Sequence, residues 1–344
     1  MMECDIYDTM KMIDQSQDSF LDTIKPLLAE GREGELCEWM KEIGLLLGSV
    51  KCPNSTCNGL EMHWKKARII DKFNWLCTEC KKKVPIKTGS FMEEFQCSVK
   101  ASVETMLAWC NSLNPEDVVI DGKTMKTSLV RRIYGQCTFI ADWYMQNHPE
   151  LSQLGGEGSV VLVDIFPDGS MTTAPHNNNY SKTILCVADT SHMPARVWAQ
   201  VVDQDLHKDY GRVLNAVLSH VRPQSTLVVT PRLFPDLVQY AKGMAEIISV
   251  EALMSLDPDD YQRSLKNLET IWATTVATCQ EVQQLSSSET TQLLRELQWR
   301  QIFTSHTKYL FQHIVEHQHA KSPSSTRLTS LSLSPMSPLP ALTP

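Results

Sequence analysis

Cys52-Pro-Asn-Ser-Thr-Cys57 and Cys77-Thr-Glu-Cys80 stand nineteen residues apart. Two short cysteine pairs flanking a loop of that length have the spacing of a zinc ribbon. Each pair sits on a tight turn that aims both sulfurs inward. Cys52, Cys57, Cys77 and Cys80 therefore predict a closed tetrahedral site for one structural Zn²⁺. Soft thiolates suit this metal, which has no redox chemistry of its own. His63 lies between the pairs as another nitrogen donor, but a lone His in a basic loop reads as solvated.

The charge around the cysteines is segregated. Lys51 to Lys87 carries nine basic and three acidic residues, about +6, inside a chain of net charge −8. The remainder is left near −14. Such a contrast is the footprint of a polyanion-binding module. Lys65, Lys66, Arg68, Lys72, Lys81, Lys82, Lys83 and Lys87 are the expected DNA contacts. Trp64, Phe73 and Trp75 interleave with them, either as a face that stacks on bases or as a small aromatic core.

The chain of 344 residues has room for two or three domains, and 42% hydrophobic residues suffice for real cores. No apolar run is long enough for a membrane span. The first residues, Met-Met-Glu-Cys-Asp, are acidic and do not read as a secretory signal. Eleven cysteines, an odd number without an even framework, fit a reducing compartment. A DNA-binding role implies the nucleus, with the cytoplasm as the alternative; Lys81-Lys82-Lys83 lies inside the ribbon and is not a convincing import signal.

Moving outward, helical periodicity predicts two short helices between Phe20 and Leu47. Val84-Pro85-Ile86 closes the ribbon as its last strand. Ser98 caps a helix over about 99–113, Asp121-Gly122 turns the chain, and a longer helix runs over 127–147. With a short helix at 115–119, this segment is a helix-turn-helix candidate. Beyond Gly155-Gly156-Glu157-Gly158 the period changes. Strands are predicted at 160–163, 183–188, 196–202 and 225–229, with helices at 209–221, 233–244 and 258–281. A three-strand meander followed by alternating α and β is the layout of a ribonuclease-H-like domain.

Enzymes with that layout place one carboxylate on the first strand, one after the fourth and one on a later helix. Together these hold two Mg²⁺ for in-line phosphoryl transfer. Here Asp164 takes the first place and Glu269 the third, but the second falls on Thr230.

The chain resembles a Merlin-type DDE transposase, a eukaryotic relative of bacterial insertion-sequence transposases, over roughly 35–320. Four pieces carry the resemblance: the ribbon leading into Ile86-Lys-Thr-Gly-Ser-Phe91, Val161-Leu-Val-Asp164, Glu269 followed by Trp272, and Leu294-Arg-Glu-Leu-Gln-Trp299-Arg300. The chain departs from the family where Ile165 replaces an acid after Asp164, and where Val229-Thr230 replaces a Ser-Asp pair. The next acid is Asp236. Loss of one metal ligand removes several kcal/mol of transition-state stabilisation, roughly 10³-fold in rate. The resemblance therefore implies a degenerate, transposon-derived member that binds DNA and Zn²⁺ without strand transfer. Mg²⁺ is a cofactor only in the alternative of an active nuclease or transposase completed by Asp236. A protein-interaction module with a structural ribbon is a third reading, and a homodimer is a candidate assembly.

The expected fold class is α+β and multidomain: helices over 1–48, zinc ribbon over 49–92, helical segment over 93–154, ribonuclease-H-like α/β domain over 155–319, and a disordered Ser/Pro-rich tail over 320–344. His313 and His317 stand four residues apart in the last predicted helix, where an exposed polar face is expected rather than a metal pair.

Overall fold

Phe73-Asn-Trp-Leu-Cys77 alternates in polarity and forms a half-buried strand, with Phe73, Trp75 and Cys77 turned inward. It is the middle strand of a small antiparallel sheet, β1 (Met62–Lys66), β2 (Phe73–Cys77) and β3 (Lys83–Pro85). Trp64 pairs with Trp75 and Leu76 with Lys83. In this computed structural model the described residues are 20–57, 61–172, 180–192, 195–202, 206–254, 258–304 and 306–321, of which 206–210, 253–254 and 258–269 are described by their backbone alone. The expected tail beyond 321 and the first nineteen residues lie outside them. The chain divides into two compact units, 1–140 with 305–344, and 141–304.

In the first unit, residues 20–27 are helical and α1 (Glu33–Glu42) follows. After the sheet comes α2 (Val99–Cys110), whose cap is Ser98: its hydroxyl accepts from the Ala101 amide at 3.1 Å. The segment read as a helix-turn-helix takes another form. Between α2 and α3 (Thr127–Asn147) lies a hairpin of β4 (Val119–Ile120) and β5 (Lys123–Thr124) in place of the short helix, with its turn at Asp121-Gly122 as expected. Asp121 (φ 49°) and Gly122 (φ 72°) are both left-handed, the conformation that joins two strands. The pair that was to turn the chain thus also sets the strands beside it. Arg131 and Arg132 are occupied by Glu116 at 3.2 Å and Glu94 at 2.6 Å.

The last helix, numbered α9 in chain order (His306–Lys321), packs with this first unit beside α2. His313 and His317 are buried there, 1% and 6% exposed, not on the expected polar face. His317 meets Phe139 edge-on at 5.4 Å. Burial first, and Lys321 second, push its pKa down to about 4.

The second unit is built on a five-stranded mixed sheet. β6 (Val160–Phe166), β7 (Thr183–Asp189) and β8 (Arg196–Val202) form an antiparallel meander. β9 (Thr226–Val229) joins the other side of β6 in parallel, after α4 (Leu206–His220). α5 (Phe234–Tyr240) leads to a fifth strand, β10 (Glu246–Ser249), parallel to β9 and absent from the sequence expectation. The spatial order is β10-β9-β6-β7-β8.

Both faces of the central strands are covered, which explains their unbroken apolar runs. Val161, Val163, Ile165, Leu185, Val187, Leu227 and Val229 pack with Val213 and Val217 of α4 and Leu237 of α5. On the opposite face, Leu162, Phe166, Ile184, Cys186 and Val228 pack with Trp272 and Cys279 of α7 (Pro258–Glu281) and Leu294 of α8 (Ser287–Ile302). A short α6 (Val250–Met254) precedes α7. The chain is therefore α+β, with a small antiparallel sheet in one unit and a mixed sheet in the other. No helix of the described residues is long and apolar enough to cross a membrane.

Candidate metal centre and basic surface

Cys52 and Cys57 lie on the loop before β1. An Asn54 side chain braces that loop by accepting from the Thr56 amide (3.3 Å) and hydroxyl (2.9 Å). Cys77 ends β2, and the turn to Cys80 is closed by the Cys77 amide on the Lys82 carbonyl at 2.9 Å. Lys81 holds a left-handed φ of 59° within it. These turns bring four sulfurs together. Cys52 Sγ is 3.5 Å from Cys80 Sγ, Cys57 Sγ is 3.6 Å from Cys77 Sγ, and all four lie within 4.8 Å of one another.

A tetrahedron of Zn–S bonds of about 2.3 Å sets its sulfurs about 3.8 Å apart, so the cluster has the dimensions the metal needs. The Lys82 amide is the largest influence on Cys80 and helps pull it down to about 6, which favours the thiolate. At Cys52 the Asn54 amide pulls the same way, but burial and the neighbouring sulfurs outweigh it and raise this thiol to about 12. All four positions of such an ion are filled by protein, and the bond network ties the 52–57 loop to the 77–80 turn. A site closed in this way would suit a structural ion rather than a catalytic one. His63 is exposed on β1 and is not in the cluster.

The pleat then sorts the rest of the sheet. Met62, Trp64, Phe73, Trp75, Cys77 and Val84 share the packed side with Leu47 and Val50. Trp75 is 1% and Phe73 6% exposed, and Lys41 of α1 covers the Trp64 ring at 4.6 Å. Phe73 and Trp75 are core, and half-buried Trp64 packs on both of them under Lys41. The opposite side presents His63, Lys65, Asn74, Leu76 and Lys83. A groove of about 250 Å³ runs there, lined by Lys65, Lys66, Ala67, Arg68, Ile69, Asn74, Leu76 and Lys83, with no carboxylate in its walls.

Of the other cations expected at this surface, Lys81 and Lys82 are exposed, and Lys72 is exposed but faces Glu33 at 3.6 Å. Lys87 is a correction: it is 7% exposed, and its ammonium donates to the Phe95 and Cys97 carbonyls. It holds the chain after β3 in place and is unavailable to a ligand.

The acids expected to be catalytic sit in the second unit. Asp164 on β6 lies beside Thr230, which follows β9, because Val163 and Val229 are in register. Asp164 is fully buried, and its carboxylate is already occupied. Oδ2 accepts from the Met171 and Thr172 amides at 2.6 Å each, and Oδ1 from the Ser170 amide at 3.2 Å. Ser170 and Thr230 hydroxyls share a hydrogen bond of 3.1 Å. A β-carbon at Gly169 would collide with the carboxylate, so the loop lies directly on it.

Burial pushes the Asp164 pKa up, against backbone amides that pull it down. Asp236 sits in the first turn of α5, and among the described residues neither acid belongs to a metal-ligating cluster. Glu269 lies on α7, three residues before the buried Trp272, and its side chain lies outside the described residues. Among the described residues there is no ligand set here for Mg²⁺: Thr230 offers a neutral hydroxyl, and backbone donors fill the space in front of Asp164. The reading of single residues gave no sign of this loop; Pro167-Asp168-Gly169 signals a turn, but not what the turn rests on.

Comparison of the chain with family models, curated proteins and solved structures found no match.

Proposed function

We propose that this is a transposase-derived, zinc-dependent DNA-binding protein of the nucleus, without strand-transfer activity. One observation carries the reading. Lys65, Lys66, Arg68 and Lys83 line one groove on the outer face of the four-cysteine unit, with no carboxylate among them, in a chain that is acidic overall. Cations gathered this way neutralise successive phosphates, and the counterions released drive binding. Zn²⁺, held by Cys52, Cys57, Cys77 and Cys80, keeps the sheet and its groove in shape.

The second unit supports the transposase ancestry at the level of layout. Its meander β6-β7-β8, with β9 and β10 added in parallel on the far side of β6, is what a ribonuclease-H-like fold requires. Its Asp164 serves the 168–172 loop instead of a metal, so the unit acts as a scaffold. The test is charge reversal. Lys65→Glu with Lys83→Glu is expected to weaken binding of the full chain to a labelled duplex at least tenfold, leaving zinc content at one ion per chain. Unchanged affinity would overturn the reading, as would Mg²⁺-dependent nicking that Asp164→Ala abolishes.

A further inference from the structure

The tip joining β1 to β2, Ala67-Arg68-Ile69-Ile70-Asp71-Lys72, leaves two isoleucines in solvent. Ile69 is 43% exposed and Ile70 71%, the highest value among the large apolar side chains described. They are also the only such exposed pair adjacent in sequence among the described residues. Isoleucine left in water forgoes the favourable burial of its apolar surface.

The tip is held firmly. The Ala67 amide donates to the Lys72 carbonyl at 2.7 Å, and the Lys72 amide to the Ile69 carbonyl at 3.1 Å. Asp71 fastens its base: the carboxylate accepts from the Val99 amide at 2.8 Å, and its carbonyl accepts from the Cys37 thiol at 3.4 Å. The one acid of the tip is thus engaged with α2. Arg68 and the two isoleucines are left beside the groove of Lys65, Lys66 and Lys83, which Ile69 helps to wall.

An aliphatic projection on an anchored hairpin, flanked by cations without a carboxylate among them, suits a bent DNA duplex. There the cations meet phosphates on either side of a groove, and an apolar side chain enters between two base pairs and unstacks them. A purely apolar partner would bury the isoleucines and strand the cations. We propose that Ile69 and Ile70 form a wedge that opens a base step and bends the double-stranded DNA held by the ribbon. The proposal rests on the DNA-binding reading above and adds what the ribbon does to its ligand.

The test uses the full chain and a duplex carrying 2-aminopurine, whose fluorescence rises when its neighbours unstack, with a donor and acceptor dye at its ends. Saturating protein is expected to raise the 2-aminopurine signal several-fold and to shorten the end-to-end distance. Ile69→Ala with Ile70→Ala is expected to abolish both changes, with the salt dependence of binding kept. Lys65→Ala with Lys83→Ala is expected to reduce the salt slope by about 2, one for each phosphate no longer neutralised. Binding without unstacking or bending overturns the wedge and leaves the DNA-binding reading intact. Unstacking and bending that survive in the isoleucine variant also overturn it. No binding at low salt overturns the wedge together with the reading it rests on.

Discussion

Removing the Asp164 carboxylate strands three backbone donors, at Ser170, Met171 and Thr172. A buried donor left without a partner costs about 1–3 kcal/mol, so Asp164→Ala is expected to lower the unfolding free energy by about 3 kcal/mol or more in urea titration. DNA affinity at temperatures where the variant stays folded should not change. Because the carboxylate is already filled, millimolar Mg²⁺ should leave the melting temperature of the wild-type chain where it is; a rise that Asp164→Ala removes would contradict this account.

His317 gives a pH dependence with a definite sign. Its pKa is lowered from 6.5 to about 4, so folding favours the neutral ring. The stability it contributes is fully present above pH 6.5 and is lost as pH falls through about 4. Thermal melts across that window should show a decline that flattens in His317→Gln. The sequence placed this ring at i+4 from His313 but did not show that both face inward, because that depends on α9 meeting distant residues such as Phe139.

At the level of elements, α7 is fastened to the sheet through Trp272, 1% exposed against Phe166 and Val228. Trp272→Ala should cost about 3–5 kcal/mol, read as a lower denaturation midpoint of the full chain. This helix and the strands β6 to β9 were legible in the sequence for a physical reason. β6, β7 and β9 carry continuous apolar runs, β8 was read from its alternation, and α7 is long enough to show its own period.

Shorter elements were not legible. β10, Glu246-Ile-Ile-Ser249, has only two apolar residues, and β4 and β5 have two residues each. None of them displays a period, so the parallel fifth strand and the hairpin in place of a helix-turn-helix come from pairing with neighbours. For Trp64, Phe73 and Trp75 the sequence left a stacking face and a small core as alternatives. Cys77 and the aromatic residues share the packed side of the sheet. That arrangement leaves the cations outward.

For the molecule as a whole, the four-cysteine cluster and the cation-lined groove lie on one small sheet, and the proposed function joins the two. The four cysteines were readable from spacing alone because metal ligands tolerate little freedom of sequence position. Lys65, Lys66, Arg68 and Lys83 of the groove were all among the cations named from the sequence; that Lys87 is engaged elsewhere, and that these four line one groove, needed the register of three strands. Cys77→Ser should bring zinc, measured by elemental analysis, from one ion per chain to none. The most direct test of the central claim is the affinity of the full chain for a labelled duplex across a salt series, with and without a strong zinc chelator. Contacts from Lys65, Lys66, Arg68 and Lys83 predict a slope of log affinity against log salt of about −4, with binding lost on chelation. A flat salt dependence, or full affinity after the metal is removed, would contradict the account.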